Sequence, residues 1–118
     1  MPEALSSTTP EYSTGRRHVR YAADFPVRLF LLGDSKEIAG RSGDISIAGV
    51  CFYAPVKLAV GRLIRLQFCL PHSTLSFDVS AVIKDAEGFR YGAEFTKIGD
   101  KERKEVERVC RILSLKSI

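Results

Sequence analysis

Leu75-Ser76-Phe77-Asp78-Val79-Ser80-Ala81-Val82-Ile83 sets apolar residues at Leu75, Phe77 and Val79 with polar residues between them. That is the two-residue period of a strand with one face buried. The turn formers Asp85-Ala86-Glu87-Gly88 come next, and Phe89 to Phe95 returns to strand-forming residues. The pattern predicts a hairpin with its loop at 85–88. Upstream, the same signals recur at short intervals. Val27 to Leu32 is an apolar run after Pro26, closed by the turn Gly33-Asp34-Ser35. A strand from Glu37 to Ile45 carries Gly40 and Gly43, where bends or bulges are allowed. Val50 to Ala54 ends at Pro55, residues 56–61 connect, and Leu63 to Leu70 ends at Pro71-His72-Ser73.

Downstream, Asp100 suits a helix N-cap, and Lys101 to Leu115 places Val106, Val109, Cys110 and Leu113 on one face. Six short strands followed by one helix predict a mainly β fold. The expected form is a six-stranded antiparallel barrel whose C-terminal helix plugs or flanks one end. Residues 1–15, rich in Ser, Thr and Pro, bury too little to offset their ordering entropy and are expected to be a flexible tail. Residues 16–118 are expected to form the single domain. Phe30, Phe52, Phe68, Phe77 and Phe95 are read as core residues.

Composition narrows the function. A formal charge of +4 is a mild excess, so it does not indicate a polynucleotide surface. Three cysteines, Cys51, Cys69 and Cys110, lie far apart without a C-x-x-C spacing, which argues against a disulfide framework or a zinc ribbon. Each is read as a buried, reduced thiol. No basic-then-apolar leader and no run of membrane-spanning length is visible, so a cytoplasmic location is expected. His18 and His72 are isolated, and no metal motif, P-loop or nucleophile elbow occurs. No catalytic constellation is present, and an enzyme is not expected.

Two polar motifs remain. Arg16-Arg17-His18-Val19-Arg20 gathers three arginines at the tail junction, and Asp44-Ile45-Ser46-Ile47-Ala48-Gly49 lies near the end of the second strand. Guanidinium forks match phosphates and guanine acceptor edges, and a carboxylate accepts from guanine N–H groups. Together they suit an anionic guanine nucleotide. A local reading of the second motif has Asp44 and Ser46 bonding nearby backbone and Gly49 taking a positive φ.

In this order and on this strand pattern, Arg16-x-x-x-Arg20 and Asp44-x-Ser46-x-x-Gly49 resemble the PilZ domain family. Gly92-Ala93-Glu94-Phe95 and the helix after it are similar to the family's ending, so the resemblance runs from about Arg16 to Leu113. It implies a receptor for cyclic di-GMP, with no cofactor and no catalysis. Arg16 and Arg20 would bind phosphates and guanine, Asp44 and Ser46 would contact a guanine, and Gly49 would keep the floor open. Arg17 is an additional donor. The ligand would join the arginine segment to the barrel and so signal to a downstream protein of motility, polysaccharide synthesis, chemotaxis or transcription. A nucleotide-independent adaptor of the same fold and an oligonucleotide-binding barrel are the competing readings. The second of these would need a broad basic groove and exposed aromatics, whereas the arginines here cluster at one end.

Overall fold

The structure, a computed structural model, describes residues 18–116. Seven strands precede one helix: β1 (Tyr21–Ala22), β2 (Pro26–Leu31), β3 (Ile38–Ile45), β4 (Gly49–Tyr53), β5 (Leu63–Cys69), β6 (Ser76–Glu87), β7 (Arg90–Lys97) and α1 (Asp100–Lys116). All pairings are antiparallel, in the order β3-β2-β5-β6-β7-β4, and β4 pairs back onto β3. The six long strands therefore close into a barrel in which each of them is paired on both sides.

The short β1 extends this ring. It pairs with the last part of β3, Tyr21 opposite Ile45 and Ala22 opposite Asp44, while β2 pairs with the first part. β1 and β2 are thus one interrupted ribbon along β3. Buried Ser42 spans the interruption: its hydroxyl accepts from the Phe25 amide at 2.9 Å and donates to the Ala23 carbonyl at 2.5 Å. Two backbone groups that lose their strand partners at the break are satisfied in this way.

Alternation along each strand fills the interior. In β5, Ile64, Leu66 and Phe68 point in, while Leu63, Arg65 and Cys69 point out. The same parity places Phe30 on the outside of β2, half-covered, with the Arg65 guanidinium 4.9 Å above its ring. Phe30 is therefore not a core residue, and Cys69 is exposed, unlike buried Cys51 and Cys110. Phe52, Phe68 and Phe77 are buried as expected, and Phe95 is partly buried against them. The β6–β7 loop is also shorter than expected. β6 runs through Glu87, and the turn is Gly88-Phe89 alone, with Gly88 at φ 61. Glycine at the first of two turn positions is what a type II′ hairpin needs.

The two barrel ends are closed differently. At one end Tyr91, fully buried, donates its hydroxyl to the Val56 carbonyl and accepts from the Leu58 amide, tying down the β4–β5 connection. At the other, α1 packs Val106, Val109 and Cys110 into the core, with Leu113 partly buried beside them. Glu105 is the centre of a side-chain network. Arg108 binds Glu105 through two nitrogens, Ser73 donates to the same carboxylate, and Arg108 also donates to the His72 carbonyl. This network fastens the helix to the β5–β6 connection, where His72 adopts φ 63.

The Arg108 and Ser73 bonds hold the Glu105 carboxyl at about 2, below its ordinary 4.5. A depressed carboxyl adds stability above its unfolded value and loses it as pH falls towards the folded one. Wild type and Glu105→Gln are therefore expected to differ most in melting temperature above pH 4.5 and to converge near pH 2. Parallel pH–melting curves would show that the network contributes nothing.

Candidate functional site

The position of Asp44 depends on one irregularity. Ser42 pairs with Phe52 and Asp44 with Cys51, so Gly43 is an extra residue in β3. Without this bulge the alternation would turn Asp44 inward and Ile45 outward. With it, Ile45 is fully buried and Asp44 stands on the outer wall, its side chain 20% exposed. A bulge commonly re-aims a side chain in this way.

Two arginines flank that carboxylate. Arg20, just before β1, places Nη1 3.9 Å from Oδ1, and Arg90, at the start of β7, places Nη2 3.9 Å from Oδ2. Both separations exceed a charge-assisted hydrogen bond of about 2.7–2.9 Å, so each guanidinium keeps donors for another partner. Arg90 arrives from the far side of β4 and was not among the residues singled out from sequence. Its place follows from the Gly88-Phe89 turn, which sets Arg90 opposite Tyr53, with Glu87 on its other side.

Beneath the charges lies Cys51. Its neighbours Val50 and Phe52 belong to the interior cluster, but Cys51 does not. It faces outward and is only 2% exposed. Burial pushes its thiol above the ordinary 9, and Asp44 adds to this, while Arg90 and Arg20 pull the other way. Cys51 therefore stays protonated in neutral solution and is a poor nucleophile. Further along the same row, Gly92 pairs with Cys51 and Asp85 with Gly92. A side chain at Gly92 would meet the Asp85 carboxylate at 2.8 Å, so the missing Cβ makes room for that carboxylate on the wall. Asp85 is a wall residue, not part of the loop expected at 85–88.

Ser46 and Gly49 shape the turn that follows. The Ser46 oxygen accepts from the amides of Ala48 and Gly49 at 3.2 Å each, and its N–H donates to the Gly49 carbonyl. The local reading of Ser46 thus holds. Gly49 does not take a positive φ; a Cβ there would lie 2.0 Å from the Ala93 carbonyl oxygen. Glycine is required by close approach to β7, not by turn conformation. His18 is exposed. Arg16, Arg17 and the expected tail at 1–15 lie outside the described residues.

Among the described residues, no cluster of three His, Cys, Asp or Glu is placed to hold a metal. No described helix is long and apolar enough to cross a membrane.

A family model, PilZ domain, matches residues 14–111. The chain belongs to the PilZ domain family. PilZ domains are a family of cyclic di-GMP receptors, binding and regulatory modules rather than enzymes. Solved structures share the fold. The inhibitor of motility from Bacillus subtilis (MotI/DgrA) is 21% identical with a TM-score of 0.71, over 86% of this chain and 52% of that one. This PilZ chain thus spans about half the length of the Bacillus protein. The PilZ domain of CeSA from a cellulose-synthesizing bacterium is 20% identical, TM-score 0.60, over 85% of this chain and 99% of that one. The PilZ domain of Escherichia coli YcgR, solved with cyclic di-GMP, is 16% identical, TM-score 0.66, over 86% and 93%. No curated protein matches the chain.

Proposed function

We propose that this PilZ domain is a cyclic di-GMP receptor in which the nucleotide joins the N-terminal arginine segment to the barrel wall, and that a partner protein reads the joined surface. The observation that carries this is Asp44, turned outward by the Gly43 bulge and flanked by Arg20 and Arg90 at 3.9 Å. A carboxylate accepts from guanine N–H groups, and guanidinium groups with spare donors suit phosphates and guanine acceptor edges.

Charge counting shows why the arginine segment matters. On the wall, Arg20 and Arg90 balance Asp44 and Asp85, so these four residues offer no net charge to a dianion. Arg16 and Arg17 supply the excess, which makes recruitment of their segment a condition of tight binding and a means of signalling. The solved complex of the E. coli YcgR PilZ domain with cyclic di-GMP is consistent with this reading.

Calorimetry with cyclic di-GMP tests it. Arg20→Ala is expected to weaken binding at least tenfold, since a charge-assisted contact contributes about 1.5–3 kcal/mol. Unchanged affinity in Arg20→Ala and in Arg16→Ala would remove the arginine clamp. No heat and no thermal shift in the wild type at high micromolar nucleotide would favour a nucleotide-independent adaptor.

A further inference from the structure

We infer that Arg90, with Tyr53 beside it, is a third ligand-binding position of this site and reads an acceptor edge or a phosphate of the nucleotide from the barrel wall. The inference rests on the cyclic di-GMP reading above.

Three observations converge on Arg90. Its guanidinium faces the Asp44 oxygen that Arg20 does not face, so the two arginines bracket one carboxylate from opposite sides. A ligand that engages Asp44 must enter between them and meets Arg90 on the way. The side chain is one-third exposed, and its 3.9 Å separation from Asp44 leaves donors uncommitted. Two other wall arginines differ, Arg41 being held by Asp24 at 2.5 Å and Arg65 by Asp78 at 2.8 Å, while Arg28 lies 3.6 Å from Glu37.

Tyr53 completes the arrangement. It pairs with Arg90 across β4 and β7, its ring lies beside Gly43, and it is half exposed. The Arg90 guanidinium is held above its ordinary value by Cys51 in the alkaline range where that thiol ionises, and by the hydrogen bond to Tyr53 and the Asp44 charge, against the opposing effect of burial. An exposed ring next to a guanidinium offers a flat surface on which a purine can stack.

Anchorage favours Arg90 as a point of contact. It follows a two-residue turn and lies in a paired strand, so its backbone is already ordered before the ligand arrives. A contact from such a position carries less ordering cost than one from a segment that must dock. Arg90 is therefore suited to first capture of the ligand.

The test compares Arg90→Ala, Arg90→Gln, Arg90→Lys, Tyr53→Ala and the control Arg65→Ala by calorimetry with cyclic di-GMP, with melting curves of each ligand-free protein. Arg90→Ala and Arg90→Gln are expected to weaken binding about tenfold at unchanged melting temperature, and Arg65→Ala to leave it intact. Arg90→Lys is expected to restore less than half of the lost free energy, because an ammonium lacks the planar fork. Tyr53→Ala is expected to weaken binding less than Arg90→Ala. Wild-type affinity in Arg90→Gln, with nucleotide still bound by the parent, overturns the Arg90 assignment alone. A parent that binds no cyclic di-GMP overturns the receptor reading and this inference with it. A drop in melting temperature in both Arg90→Ala and Arg90→Gln that accounts for the lost affinity overturns the assignment in favour of a structural role.

Discussion

Gly49→Ala is expected to destabilise the barrel by about 3 kcal/mol or more, the upper end of the cost of forcing extra atoms into packed structure. The new Cβ would stand 2.0 Å from the Ala93 carbonyl oxygen, 3.0 Å from its carbon and 3.1 Å from the Glu94 Cα. Every one of these atoms is backbone, so no side chain can swing aside. Relief requires β4 and β7 to separate where Gly49 pairs with Glu94. The Phe95 amide donates to the Ala48 carbonyl beside this point, so the strain reaches that bond too. Gly43→Ala is the instructive contrast. Its Cβ would meet only the Tyr53 ring, at 3.3 Å, and that half-exposed ring can move. Denaturant unfolding should show a large loss for Gly49→Ala and a loss below about 1 kcal/mol for Gly43→Ala. Equal, small losses would mean that the β4–β7 approach is soft and that Gly49 has another role.

The difference between these glycines shows what the sequence made legible. Strand positions and the helix follow from local periodicity, which backbone geometry imposes residue by residue: Phe77 and Val79 face in because a strand alternates, and Val106, Val109 and Cys110 share a face because a helix turns every 3.6 residues. Where the apolar signal is continuous, the period disappears. Val27-Arg28-Leu29-Phe30-Leu31-Leu32 does not show that Phe30 faces out; pairing of β2 with β3 and β5 does. Cys69 is similar, since it is the parity set by Leu66 and Phe68 that exposes it.

The site was legible only in part, for a related reason. Asp44 stood out as a motif, but its outward direction comes from the one-residue register change at Gly43. Arg90, Tyr53, Cys51 and Asp85 carry no local signal. They meet because β3, β4, β7 and β6 lie side by side, and their register rests on a two-residue turn at Gly88-Phe89 that the turn-rich string Asp85-Ala86-Glu87-Gly88 concealed. Pairing between segments far apart in sequence is a property of the closed barrel.

That convergence gives Asp44→Ala an unusual expected signature: cyclic di-GMP binding falls about tenfold or more, while cyclic di-AMP binding is unchanged or rises. Guanine presents adjacent N–H donors that a carboxylate can accept together, and such a paired contact discriminates between bases by about 1–3 kcal/mol. Adenine presents an acceptor where guanine has one of those donors, so the Asp44 oxygens repel it. A second effect points the same way. Asp44 now offsets Arg20 and Arg90, each 3.9 Å from one of its oxygens. Removing it leaves both guanidinium groups unopposed, with Asp85 the remaining carboxylate of the row, and the pull on any phosphate increases. Guanine loses its acceptor and gains phosphate attraction, whereas adenine loses a repulsion and gains the same attraction. The ratio of the two affinities should fall by roughly tenfold to a hundredfold, in step with the paired-contact energy. Titration of both nucleotides into wild type and Asp44→Ala reads that ratio directly. A parallel fall for both would show that Asp44 positions the arginines rather than reading the base. A parallel rise would show that it acts on the phosphates alone.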